Sequence, residues 1–180
     1  VGFLAADLSF ESLREGIAYW RGYGATFYLY GAVFLPVVLA TAVVDVDVLP
    51  HVARHQATSL WENWLGTPAW FWTATVVLAR LVNVVLAVGS VYVIYRIGTL
   101  VRDRATGRLA GLLLALTWGL LILSHEAGED VPALFCLLVT MYLALRYVET
   151  GDRRTFYLGA FVGGVAIALK FSAGVGALML

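Results

Sequence analysis

The stretch WFWTATVVLARLVNVVLAVGSVYVIY, Trp70–Tyr95, decides the fold class. It carries a single charge, Arg80, and exceeds the ~20 residues that cross about 30 Å of hydrocarbon as an α-helix. Four more weakly charged runs flank it: Gly22–Val44, interrupted by Pro36; Leu109–Ser124; Val131–Leu145, extended to a span over 131–148; and Thr155–Leu180, which holds Lys170, the only lysine. The two short runs need flanking arginines that snorkel. Composition agrees. Apolar residues make up 61% of the 180, or roughly 66% when glycine is counted and tyrosine is not, against about 45–50% in soluble domains. Disorder is excluded, and the bilayer is the expected solvent. The expected architecture is an all-α polytopic membrane bundle over residues 1–180, read as one partial transmembrane domain. No basic n-region or small-residue cleavage site follows Val1, and Leu180 falls within an apolar run. The expectation is therefore a segment of a longer polytopic protein without a signal peptide.

Loop charge orients the spans. Arg96, Arg102, Arg104 and Arg108 lie in one connection and Arg146, Arg153 and Arg154 in another, and short arginine-rich loops stay in the cytoplasm. The intervening Ser124–Pro132 loop and the segment Asp45–Trp70 then face outward, with Trp61, Trp64, Trp70 and Trp72 as an interfacial belt. Gly22–Val44 has two readings. A full crossing puts residues 1–21 inside; a re-entrant or interfacial helix bent at Pro36 leaves them outside. Hydropathy alone favours crossing. Gly107 with Gly111 and Gly159 with Gly163 are small-xxx-small pairs suited to close helix packing.

Several polar groups need a reason. Glu126, Glu129 and Asp130 place three carboxylates in five residues, which repel unless a cation, a metal or a hydroxyl network compensates. Asp130, two before Pro132, also suits the first turn of a helix, where the helix N-terminus stabilises a carboxylate. Arg80 and Lys170 lie deep in apolar runs, where a charge marks a paired or functional site; holding a lipid phosphate competes with snorkelling or a structural ion pair. His51 and His55, at i and i+4, suit either a metal pair or an interfacial helix. Adjacent Ser124 and His125 do not make a triad. Cys136, the one cysteine, excludes an internal disulfide framework and reads as core packing. Twelve basic and twelve acidic residues cancel, so nothing indicates nucleic acid.

Particular motifs carry a family resemblance. Ala79-Arg-Leu81, VYVIYRIG (Val91–Gly98) and RATGRLAG (Arg104–Gly111) resemble the second span and first cytoplasmic loop of GT-C glycosyltransferases related to dolichyl-phosphate-mannose protein mannosyltransferases. Ser124-His125-x-Ala127-x-x-Asp130-x-Pro132 is similar to that family's SHxAxxDxP outer loop, and RRTFYLG (Arg153–Gly159) with GGVAIALKF (Gly163–Phe171) to a later helix. Upstream, FYLYG (Phe27–Gly31) resembles the element after the family's first outer-loop Asp-Glu pair; the usual interval back lands on Asp7, with Leu8 in place of Glu and Gly31 in place of Pro.

The resemblance implies a GT-C-like bundle of about four full spans plus one re-entrant or interfacial segment, since Asp7 must lie outside. It implies an enzyme of the cell membrane that moves a sugar from a polyprenyl-phosphate carrier to a protein, lipid or glycan hydroxyl at the outer face, with inversion by analogy with inverting glycosidases. On that reading Asp7 is the catalytic base and Asp130 orients the acceptor or a metal. Arg80 or Lys170 meets the phosphate, and His125 and Glu126 bind substrate. No cofactor is required by the sequence, with a divalent metal left open. A transporter or flippase for an anionic lipid, or a non-catalytic membrane protein, is the alternative.

Overall fold

The computed structural model describes residues 69–170 together with 29, 31–33, 35 and 36. These are all-helical apart from connecting turns: α1 Ala69–Val101, α2 Arg104–Ala115, α3 Trp118–Ser124, α4 Asp130–Thr150 and α5 Arg153–Leu169. The chain divides into two compact units, Val1–Ala79 and Arg80–Leu180. In the first, the described residues between 29 and 36 are helical, Pro36 included, and Ala79 is buried against Leu78 and Val33. The rest of Gly22–Val44, the segment 1–21 with Asp7, and His51 and His55 lie outside the described residues.

In the second unit the helices are apolar on the outside and small or polar within. Along α1, Leu81, Val85, Val88 and Tyr92 are exposed, while Asn83, Ala87, Ser90 and Gly98 are buried. Water would reverse that pattern; lipid tails do not, because they are as apolar as leucine and helix contacts then depend on close backbone approach. Ser90, Ser124 and Thr140 satisfy their buried hydroxyls on carbonyls of the preceding turn, Leu86, Leu121 and Cys136. Ala87, Leu120 and Val131 join α1, α3 and α4 in a common core. Closest of all is the crossing of α1 and α2, where a Cβ on Gly98 would stand 2.8 Å from the Cα of Gly107.

Val76–Val101 and Asp130–Thr150 are long and apolar enough to cross a membrane. The first continues beyond the Tyr95 boundary expected from charge, and the Arg96 guanidinium that follows Tyr95 lies at the helix surface, bonded to two tyrosines. The span expected over 109–124 is built of two helices, α2 and α3, that together are long and apolar enough to cross and are bent by 60°. Thr117 breaks it: its backbone is extended, at ψ 115°, and its hydroxyl donates to the Leu113 carbonyl that a continued helix would use. α5 begins two residues before the run Thr155–Leu180 and ends at Leu169, where the capping Lys170 takes φ −148° and ψ 120°.

Caps set the connections. Asp103 accepts from the Thr106 N–H at the start of α2, and Asp152 from the Arg154 and Thr155 N–H groups at the start of α5. Between α4 and α5, Gly151 takes φ 64°, a left-handed conformation that a side chain would strain, and its N–H closes α4 on the Tyr147 carbonyl. The two helices therefore turn sharply and pack along each other.

A methyl at Gly107 would collide with Thr99 Oγ1 and stand 2.5 Å from the Tyr95 carbonyl oxygen, whereas one at Gly111 would meet ordinary contacts at 3.5 Å. Gly107→Ala should destabilise the full-length protein by about 1–3 kcal/mol. Gly111→Ala should be neutral or slightly stabilising, because alanine recovers up to ~1 kcal/mol of helix propensity. Thermal unfolding in detergent separates the two.

The cap bonds also hold both aspartates below the usual carboxylate range, chiefly through the Thr106 N–H for Asp103 and the Arg154 N–H for Asp152. A depressed folded-state pKa means that the caps contribute fully above the unfolded-state value and are lost as pH falls through the folded one. Asp152→Asn should preserve the unfolding midpoint at neutral pH and flatten its acid decline, while Asp152→Ala lowers the midpoint at neutral pH; midpoints measured from pH 7 down to pH 3 read both effects.

Candidate functional site

Helix lengths bring two sequence candidates of the last hairpin, Asp130 and Lys170, together. Asp130 lies 21 positions before Gly151 and Lys170 19 after it, so two antiparallel helices with equal rise end at nearly the same height. The four-carbon lysine stem spans the remainder, and Lys170 Nζ donates to Asp130 Oδ1 in an ion pair. Both side chains stay partly accessible, 36% for the lysine and 40% for the aspartate. Asp130 opens α4, whose first-turn residues Val131, Pro132 and Ala133 are buried and hold it in place. The neighbouring Glu129 also acts on the ammonium through its charge. Three carboxylates and one ammonium leave this end of the hairpin net negative.

The loop before Asp130 is tied to α1. Asn83, fully buried, donates from its amide to the main-chain carbonyls of Glu126 and Gly128, the latter at 3.0 Å. Both acceptors lie within four residues of Asp130, so the amide determines where that carboxylate begins its helix. Sequence reading passed over Asn83 because it is uncharged. The available signal was a lone amide within the apolar run Leu81–Val88, a setting in which an unsatisfied amide is costly.

The other nominated residues sit differently. His125 is exposed at the C-terminus of α3, with Nδ1 2.7 Å from the Leu121 carbonyl oxygen. A carbonyl only accepts, so Nδ1 carries the proton and Nε2 is the free acceptor of the neutral ring. Ser124 also donates to the Leu121 carbonyl, at 2.8 Å, so its hydroxyl proton is committed and the pair is no nucleophile and base. Glu126 contributes its carbonyl to the Asn83 contact and exposes its side chain. Arg80 is exposed on α1, one turn before Asn83, with no ion-pair partner among the described residues. Among those residues no three His, Cys, Asp or Glu side chains converge into a metal-binding group.

This geometry holds a charge-compensated carboxylate beside an ammonium with donor capacity to spare. Such a set binds hydroxyls through the carboxylate and phosphate oxygens through the ammonium. The family model for dolichyl-phosphate-mannose-protein mannosyltransferase matches residues 73–180, which include Asn83, the 125–129 loop, Asp130 and Lys170. No curated protein and no solved structure matches the chain at a significant level.

Removing the Asn83 amide leaves two loop carbonyls without their donor. Asn83→Ala should destabilise the protein by about 1–3 kcal/mol and make the 125–129 loop susceptible to protease. Asn83→Asp should be worse, because a carboxylate cannot donate. Limited proteolysis and thermal unfolding of the full-length protein check both.

Proposed function

The chain belongs to the dolichyl-phosphate-mannose-protein mannosyltransferase family, and from that premise we propose that it transfers a sugar from a polyprenyl-phosphate carrier to an acceptor hydroxyl at the extracytoplasmic face of the cell membrane, inverting the anomeric centre. Family membership by itself implies a membrane glycosyltransferase. The observation that carries the finer reading is the Asp130–Lys170 pair, which sets a carboxylate and an ammonium side by side at one end of the α4–α5 hairpin. In the proposed topology α1 and α4 cross, α2 and α3 form one broken span, and the apolar run Thr155–Leu180 is the fourth.

In the proposed reaction the acceptor oxygen attacks the anomeric carbon as the bond from that carbon to the phosphate oxygen breaks. The bonding electrons leave with the polyprenyl phosphate, and the acceptor proton passes to the Asp7 carboxylate as general base. Asp130 orients the acceptor. Lys170, with Arg80 at the more exposed position, stabilises the second negative charge that develops on the phosphate; fixed cations act most strongly where water is excluded. An ammonium has three donors, so Lys170 can hold Asp130 and a phosphate oxygen at once. His125, through Nε2, and Glu126 accept from sugar or acceptor hydroxyls.

Membranes containing the full-length protein, supplied with radiolabelled polyprenyl-phosphate sugars, should transfer label to an acceptor. Asp130→Asn should lower kcat/KM by about 10²–10³-fold, with Lys170→Gln comparable, both acting on the transition state. Transfer left intact by both Asp7→Asn and Asp130→Asn overturns the residue assignment. Movement of an anionic lipid between leaflets without any sugar transfer overturns the enzyme reading in favour of transport.

A further inference from the structure

At the other end of α1 an exposed cation is held by side chains of two helices. The Arg96 guanidinium is exposed, yet one terminal nitrogen donates to the Tyr92 hydroxyl at 3.0 Å and the other to the Tyr142 hydroxyl at 3.1 Å. It also lies 5.9 Å and 5.6 Å from the two ring centroids. Tyr92 belongs to α1 and Tyr142 to α4, so two separate helices grip the group. Of five N–H donors two are engaged, leaving three directed elsewhere.

Arg102, Arg104 and Arg108 follow, all exposed. The one acid among them, Asp103, is occupied as the α2 cap and lies 4.0 Å from Arg102. The cluster is thus net positive, and it sits where the membrane-crossing length Val76–Val101 ends. Exposed apolar side chains adjoin it on the same helices, Val101 at 67% and Leu109 at 57%. A cationic band directly above an apolar surface matches the depth at which phospholipid phosphates lie, and tyrosines are characteristic anchors at that depth.

We propose that this end of α1 and α2 is a binding site for the phosphodiester of an acidic phospholipid, with Arg96 as its pre-oriented centre. An acidic headgroup is favoured over a zwitterionic one because the one carboxylate of the cluster, Asp103, is already engaged by the Thr106 N–H and Arg102 and so does not pair with a choline or ethanolamine cation. A guanidinium already held in position loses little freedom on binding, and its planar fork suits two phosphate oxygens. The tyrosine hydroxyls therefore contribute to affinity without touching the lipid. This site is remote in sequence from Asp130, and it stands whether or not the sugar-transfer reading does.

The experiment is native mass spectrometry of the full-length protein released from detergent, titrated in parallel with phosphatidylglycerol and phosphatidylcholine. Phosphatidylglycerol should be retained selectively. Arg96→Gln should weaken its retention roughly fivefold or more, and leave phosphatidylcholine unchanged. Tyr142→Phe, which keeps the ring and the charge but removes one hydroxyl, should lose part of the selectivity; a merely electrostatic surface would not respond to it. Should Arg96→Gln fail to fold, Tyr142→Phe and Arg96→Lys carry the test, with Arg96→Lys expected to bind less tightly than wild type. Equal retention of the two lipids, or selectivity unaffected by these variants, overturns the proposal. So does full displacement by millimolar inorganic phosphate, which would identify a site for free phosphate.

Discussion

Helices surrounded by hydrocarbon gain nothing from hiding leucine from leucine, and this constraint governs the folded segment. Contact has to come from backbones approaching closely and from the few polar groups that find partners. Gly98 and Gly107 let α1 and α2 touch, and Gly89 leaves room for the Phe135 ring, which a Cβ would meet at 2.8 Å. The bulky residues then fall on the outside, where Val85, Val88, Leu112 and Leu113 are all more than half exposed. Volume on the inward face of α1 is thus the quantity under control, and apolarity on its outward face.

The same economy of contact makes single polar residues decisive. Asn83 holds the loop that leads into α4 through two main-chain carbonyls, so the position of Asp130 depends on a helix distant in sequence. The partner of Asp130 arrives by a different route, since Gly151 and the Asp152 cap turn the chain back and equal helical rise returns Lys170 to the same level. Neither arrangement relies on the strength of a surface ion pair, which is small where solvent reaches both groups. What matters chemically is that a carboxylate and a cation stand side by side without neutralising one another's remaining valences.

The two ends of the segment use cations differently. Lys170 is a compact ammonium paired with one carboxylate, and in the proposed function it shares that partner with a phosphate oxygen. Arg96 is a planar group braced by two phenols on separate helices, which presents a fixed set of donors at the opposite end of α1. An exchangeable grip suits a substrate that must leave; a fixed grip suits a lipid that stays.

Much of this was legible in residue order alone. The apolar runs announce helices for a bilayer, Asp130 two before Pro132 announces the first turn of a helix, and the SHxAxxDxP-like loop points to the same residue. These are local properties, dictated by hydropathy over one segment or by a side chain reaching its neighbours' amides. The break at Thr117 was not legible, because a threonine can donate back to its own helix without bending it. Asn83 and the tyrosine grip on Arg96 were not legible either, since each depends on which faces of α1 and α4 come together. Sequence by itself determined the membrane-helical class and the family; only the tertiary structure decided which distant residues meet, because in a uniformly apolar segment the pattern that selects partners lies in shape and packing rather than in hydropathy.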